Sequence, residues 1–376
     1  MSGKSDIVIV GAGMAGASLA AELAGKADVL LLEAESRPGY HSTGRSAAFL
    51  SEAYGGPLVQ PLTTASRLFL EDPPGDLSAE PFLSDRGALH LADSGGEKVL
   101  ADLLGTFGAS VKLQPLDRSE LLLRLPALRE GWNQGLWEPS CADIDVARLH
   151  AFYLGRARAK GARLVTDAEV GAARREEGGW RIETKAGPFA GRILVDAAGA
   201  WADRVAAFAG ERPLGIQPYR RTIAQLRVHP PAEPNLPLVI DALGRFYFKP
   251  EAGGRLWLSP HDETPCEPCD CAAEEHDVAL AIDRLERVIN IRVERVEHRW
   301  AGLRSFAPDR LPVYGFATGR DDFFWFAGQG GFGIQTAPAA AMIAAALLLG
   351  TAPDPLVAGI DPEIYSPGRF GGAGKS

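Results

Sequence analysis

Near its start the chain reads Gly11-Ala12-Gly13-Met14-Ala15-Gly16, and Glu33 follows 22 residues after the first of these glycines. That spacing suits a turn that holds the pyrophosphate of a dinucleotide, with an acid placed to accept from a ribose hydroxyl. The elements that must position these residues are legible around them. Asp6 to Val10 and Val29 to Leu32 are short apolar runs of the kind found in parallel strands buried on both faces, and the segment between them suits a crossover helix. Gly11 serves the tight turn, Gly13 the approach of phosphate to backbone, and Gly16 the packing of helix on strand, while Met14 and Ala15 open the helix whose N-terminus faces the anion. Glu33 and Ala34 end the second strand, and an acid there argues against a 2′-phosphate. The motif does not separate FAD from NAD.

Three further stretches carry site-like chemistry. His41-Ser42-Thr43-Gly44-Arg45-Ser46-Ala47-Ala48 follows the ribose acid with hydroxyls, glycine and an arginine suited to phosphates and a polar ring edge. A buried-type strand from Arg192 to Asp196 runs into Ala197-Ala198-Gly199-Ala200-Trp201, small residues that admit a cofactor against the backbone. Trp325 to Ala327 leads into Gly328-Gln329-Gly330-Gly331-Phe332-Gly333-Ile334-Gln335-Thr336, then Ala337-Pro338, a second helix start behind a glycine-rich turn. Its dipole favours negative charge. A reduced flavin carries such a charge on its pyrimidine edge and NAD does not, so this stretch favours flavin.

The remainder sets limits. The 376 residues allow two domains, and the net charge of -9 offers no basic footprint for nucleic acid or an anionic membrane, leaving a small molecule as the expected partner. No leader precedes the first strand and the longest apolar helical run, Ala337 to Leu349, is too short to cross a bilayer, so a cytoplasmic location is expected. Helices are expected from Pro61 to Leu70, Glu97 to Phe107, Ser119 to Leu128 with Pro126 ending or distorting it, and Val146 to Lys160 with Asp145 as N-cap, with a break at Pro73-Pro74-Gly75 and a loose tail from Gly368. The runs at Arg221 to Val228, Arg245 to Lys249, Arg255 to Leu258 and Arg292 to Glu297 alternate as strands of a two-faced sheet. Cys266, Cys269 and Cys271, with His261 and His276 nearby, are the one metal-like cluster; only one knuckle is visible, and the reading taken is an ordinary loop with no metal.

Taken together, Gly11 to Gly16 with Glu33, His41 to Ala48, Ala197 to Trp201, Trp300-Ala301-Gly302-Leu303-Arg304-Ser305 and Gln329 to Thr336 resemble the FAD-dependent D-amino-acid oxidase superfamily, which includes glycine and sarcosine oxidases, and within it the branch that dehydrogenates D-arginine. The resemblance implies an α/β fold: a Rossmann-type domain that binds FAD non-covalently, built from residues 1–80, 143–212 and 300–376, and an α+β substrate domain with a mainly antiparallel sheet from 81–142 and 213–299. It adds Val170 and Gly302 to the cofactor wall. It also implies that Tyr54, Arg221, Tyr247 and Arg304 hold an α-carboxylate, with Phe49, Ser51, Ala88, Gly331 and Gln335 around the rest of the substrate. The physics agrees, because a guanidinium meets a carboxylate with two parallel charge-assisted bonds. Arg220 and Arg221 must face opposite sides of a strand, so one of them serves the pocket.

The implied reaction is oxidation of a D-amino acid by hydride transfer to flavin N5, giving an imine that hydrolyses to 2-oxo acid and ammonia. No protein acid or base is required if the amine arrives neutral, and Gly331 and Gln335 are expected at the amine and the flavin edge. The acceptor that reoxidises the flavin, a quinone or O2, is left open. Where the D-arginine branch has a glutamate facing the distal guanidinium this chain has Ala88, and where it has a loop histidine this chain has Phe49, so neutral or apolar side chains are expected. Secondary amines and 2-hydroxy acids stay open as substrates, and a non-catalytic FAD-binding subunit is the rival from another class.

Overall fold

The computed structural model describes residues 4–73 and 80–371. Pro74 and Gly75, and the tail beyond 371, lie outside the described residues. Two large sheets share the chain. In the first, Ser5–Val10 pairs in parallel with Val29–Leu32 on one side and with the end of Gly187–Asp196 on the other, and Arg163–Val165 and Phe323–Ala327 extend the parallel core outward. Ile7 and Ile9 pack into one apolar cluster with the helices Met14–Leu23, Val146–Ala159 and Ala337–Leu349; Val8 and Val10 point the other way, into a cluster with Ala202, Val205 and Ala206 of the helix Ala202–Phe208. Burial on both faces is why this strand carries an unbroken apolar run.

The second sheet has ten strands and is antiparallel except where Leu238–Asp241 lies parallel to Ala88–Ala92. Its long central pair is Gln217–His229 against Arg292–Phe306. The latter strand runs unbroken through the expected boundary at 299/300, so Trp300 to Phe306 belong to this sheet. Alternation divides its faces: Ala224, Leu226 and Val228 join Phe246 and Phe248 under the helix Glu275–Val288, while Ile223 and Tyr247 face the opposite way. That opposite face looks across at the nucleotide-type sheet. The expected helix from Ser119 is shorter than anticipated, Arg118–Arg124, with Leu125 as its C-cap before Pro126, and Asp145 caps Val146–Ala159 by accepting from the Arg148 N–H at 3.0 Å. Among the described residues no helix is long and apolar enough to cross a membrane.

Candidate active site

A cavity of about 540 Å³ runs between the two sheets, from the glycine turn to the face of the antiparallel sheet. Its wall contains Gly11, Gly13, Met14, Ala15, Glu33, Ala34, His41 to Thr43, Arg45 to Ala48, Val170, Ala198, Gly199, Trp201, Gly302, Gly330, Gly331, Gly333, Ile334 and Gln335, and at the far end Phe49, Tyr54, Arg221, Ile223, Tyr247 and Arg304. The fold therefore brings residues more than 300 positions apart in the chain onto one surface.

At the glycine turn several polar groups are held by side chains from elsewhere in the chain. Glu33 accepts from the N–H groups of Ala12 (2.8 Å) and Glu35 (3.0 Å). Thr43 Oγ1 accepts from the Met14 N–H at 2.9 Å, supplying to the first helix the side-chain cap that Gly13 lacks. His150 Nε2 donates to Ala12 O at 2.8 Å, and burial holds its pKa below that of a free histidine. The run 41–48 is accordingly a strap as much as a phosphate wall. Ser42 Oγ donates to Leu303 O (2.6 Å), and Arg45 turns its guanidinium to Asp270 (2.5 Å) and to the carbonyls of Ala301 and Cys271. His41 pairs with Glu35 and packs on Trp201. The loop bearing Cys266, Cys269 and Cys271 thus reaches the cavity through Asp270.

At the far end two guanidiniums converge. Arg221 is 4% exposed; its Nη2 donates to Glu263 (3.0 Å), a carboxylate that also receives Arg310, while its Nε and Nη1 are buried with no partner. Burial and the neighbouring Arg304 charge pull its pKa down to about 10, still well above neutral pH. Arg304 Nη1 donates to the Tyr54 hydroxyl at 2.6 Å. Gly331 lies directly beneath, where a Cβ would fall 2.4 Å from Tyr54 Oη and 2.8 Å from Arg304 Nη1. Phe49 meets Tyr54 and Tyr247 at centroid distances of 6.0 and 5.8 Å, closing an aromatic cage beside the arginines. Arg220, on the other strand face, is held by Asp262, Glu274 and Asp277, as the alternation required.

Several expected site residues stand behind the wall. Gly16 packs on Gly11, Gly44 closes a turn on Gly39 O, and Thr336 Oγ1 donates to Phe332 O. Phe332 packs on Tyr54 and Phe306. Ala88 is fully buried in one apolar cluster with Ile223 and Tyr247 and is not itself part of the cavity wall. Ser51 bonds to Glu138, and the Gln335 amide is consumed by Ser51 N and O and by Thr63 Oγ1, so Gln335 offers only its backbone side to a ligand. The second helix also starts set back from the cavity. Its Ala339 N–H donates to Ser66, and the turn before it, from Gly330 to Ile334, does the lining. Ile223, Glu263, Arg310, His150 and Asp270 escaped the sequence reading; only the alternation of Arg221 with Ile223 carried a signal.

With this geometry in view, the comparisons with known proteins are decisive on class. Residues 6–347 match the DAO family of FAD dependent oxidoreductases, and the chain belongs to that family. It is 26% identical over 363 residues to a glycine oxidase of Geobacillus kaustophilus (strain HTA426), covering 93% of this chain and 94% of that one. The crystal structure of glycine oxidase from Geobacillus kaustophilus superposes with a TM-score of 0.82 at 25% identity over 96% of this chain and 98% of the other. That of L-proline dehydrogenase from P. horikoshii gives 0.84 at 22%, covering 99% of each, which speaks to the fold alone. The residues present fit FAD: a Cβ on Gly13 would fall 3.2 Å from Thr43 Oγ1, so glycine keeps this stretch of backbone open, and Glu33, Thr43 and Gly199 line the same cavity. The protein is an FAD-dependent oxidoreductase.

Proposed function

We propose that this protein oxidises the α-carbon–nitrogen bond of a D-amino acid with a neutral or apolar side chain. The observation that carries the reading is the pair Arg221 and Arg304, both lining the cavity, with two buried nitrogens of Arg221 unsatisfied. Buried guanidinium nitrogens without acceptors cost several kcal/mol, and a substrate carboxylate relieves that cost with charge-assisted bonds. Bound FAD supplies the two-electron acceptor. The protein's own part is placement: Arg221, Arg304 and the Tyr54 hydroxyl fix the carboxylate, the floor at Gly331 sets its depth, and Phe49, Ile223 and Tyr247 shed water around the side chain. The carboxylates of the cavity wall are already engaged, Glu33 by backbone, Glu35 by His41, Glu169 by Lys185 and Asp270 by Arg45, so a cationic side chain finds no free counter-ion among them.

A second reading, oxidation of glycine or a small secondary amine, is favoured by the similarity to glycine oxidase over 93% of the chain. Anaerobic mixing of the yellow protein with a substrate panel separates the two. D-leucine, D-methionine and D-phenylalanine are expected to bleach the flavin with higher kcat/KM than D-arginine, glycine or N-methylglycine. A preference for glycine or N-methylglycine would install the second reading, and a preference for D-arginine would remove the first. Arg221→Met is expected to stay yellow and to lose roughly 100-fold or more in kcat/KM, since each of the two hydrogen bonds a guanidinium gives a carboxylate contributes about 1.5–3 kcal/mol.

A further inference from the structure

Tyr54 sits in residues 51–56, a turn without regular secondary structure between Phe49–Leu50 and the helix Gln60–Glu71. A catalytic cage built on a turn needs something to hold it. Here that support comes from a buried carboxylate on one side and a buried amide on the other. Glu138, fully buried at the end of the strand Gln134–Glu138, accepts from Ser51 Oγ (2.8 Å), from the Glu52 N–H (2.7 Å) and, at 3.4 Å, from the Ala53 N–H. Its fourth partner is His90 Nε2 at 2.9 Å, from the neighbouring strand Ala88–Ala92, and His90 is itself 6% exposed. From the other side the Gln335 amide grips Ser51 N, Ser51 O and Thr63. Three consecutive residues before Tyr54 are therefore fastened by one side chain of the antiparallel sheet and one side chain of the glycine-rich turn that lines the cofactor cavity.

We propose that Glu138, with His90 as its partner, is the positioning residue for Tyr54 and hence for the carboxylate clamp. The inference rests on the proposed reading of Arg221, Arg304 and Tyr54 as that clamp. An ionised carboxylate surrounded by donors holds its ligands in one geometry, because every rotation that frees one donor leaves it unpaired in the protein interior. Tyr54 directly follows Ala53, the last of the fastened amides, its own carbonyl accepts from Gln335 Nε2 at 3.5 Å, and its hydroxyl has to reach Arg304 Nη1, so loosening Glu138 moves the hydroxyl more than the strand-borne guanidiniums. The arginines are carried on sheet strands and stay where they are.

The test uses the FAD-loaded protein and 4-methylpentanoate, the carboxylate of leucine without its amine, which offers the clamp its anion and has no amine to oxidise. Titration calorimetry gives its Kd in wild type, Glu138→Gln, Tyr54→Phe and the double variant. Glu138→Gln is expected to weaken binding about tenfold, and to raise KM for the preferred substrate far more than it lowers kcat. In the Tyr54→Phe background the same change is expected to cost less than about twofold, because residues coupled through a contact are non-additive. A Kd for Glu138→Gln within twofold of wild type, or a tenfold loss that persists without the Tyr54 hydroxyl, overturns the proposal. A wild-type protein that does not bind the probe at all overturns the clamp reading instead, and this inference with it. Should Glu138→Gln not fold, Ser51→Ala removes one donor only; a loss of about threefold that vanishes with Tyr54→Phe supports the proposal, and an unchanged Kd sinks it.

Discussion

At the scale of single residues, Asp196 shows how cofactor-wall geometry is held by a buried acid. It ends the strand Gly187–Asp196, is fully buried, accepts from the Ala198 N–H at 3.1 Å through Oδ1, and leaves Oδ2 without a partner. Burial drives its pKa well above the ordinary carboxylate value, with Asp203 adding to the rise. A folded-state pKa above the unfolded one means that the native protein holds the proton more tightly, so this residue's contribution is full below the unfolded value and is lost as pH rises through the folded one. Asn keeps the acceptor and cannot ionise. Asp196→Asn is therefore expected to have a higher Tm than wild type at pH 8 and a flatter fall in Tm between pH 5 and pH 8. Thermal melts across that range check it, and a variant less stable than wild type at every pH would refute the argument. His150 has the opposite sign: its lowered pKa costs stability as pH drops below the free-histidine value.

At the scale of elements, the glycine turn depends on contact between helix and strand. A Cβ on Gly16 would lie 1.9 Å from Gly11 O, so Ala at that position forces Met14–Leu23 off the strand Ser5–Val10. Overpacking of this kind costs typically ~1–3 kcal/mol, and here it also moves the N–H groups of the helix start that lines the cavity. Gly16→Ala is expected to purify with little or no FAD, read as visible absorbance per protein, and to regain colour only at FAD concentrations well above those that saturate wild type. A variant as yellow as wild type would show that the close packing is dispensable. The same element explains what was legible early. Strand, turn, helix and acid follow one another in the chain, so local patterning reports them; the strap from His41 to Ala48 was visible as a polar run, but its bonds to Leu303, Ala301 and Asp270 span more than 200 residues and have no local trace.

At the scale of the whole molecule, the cavity is walled by segments that begin at Val10 and end at Gln335, contributed by both large sheets. A ligand that fills such a space binds only when both sheets are folded and apposed. FAD is therefore expected to stabilise the entire fold: saturation at about 100 times Kd adds about 2.7 kcal/mol, which for a chain of this size is a rise in Tm on the order of 5 °C. Comparing melts of FAD-loaded and FAD-stripped protein measures it. A single transition that shifts as a unit is the expected result, and a shift confined to one of two separate transitions would show that the sheets melt independently.

The sequence by itself determined the glycine turn, the acid at the end of the second strand, the buried parallel strands, the two-faced sheet and the choice between Arg220 and Arg221, because each follows from a local period or spacing. Only the tertiary structure decided which of these residues face a ligand. Ala88 is buried in the cluster of Ile223 and Tyr247 without lining the cavity, and Gln335 lines it with its amide spent on Ser51 and Thr63. Glu138 and His90 gave no signal at all, since an acid at a strand end and a histidine in an apolar strand look like ordinary residues until the strands pair and set them 2.9 Å apart. Hydrogen-bond partners are chosen by proximity in space, and proximity across a sheet is a property of register, which no short stretch of chain contains.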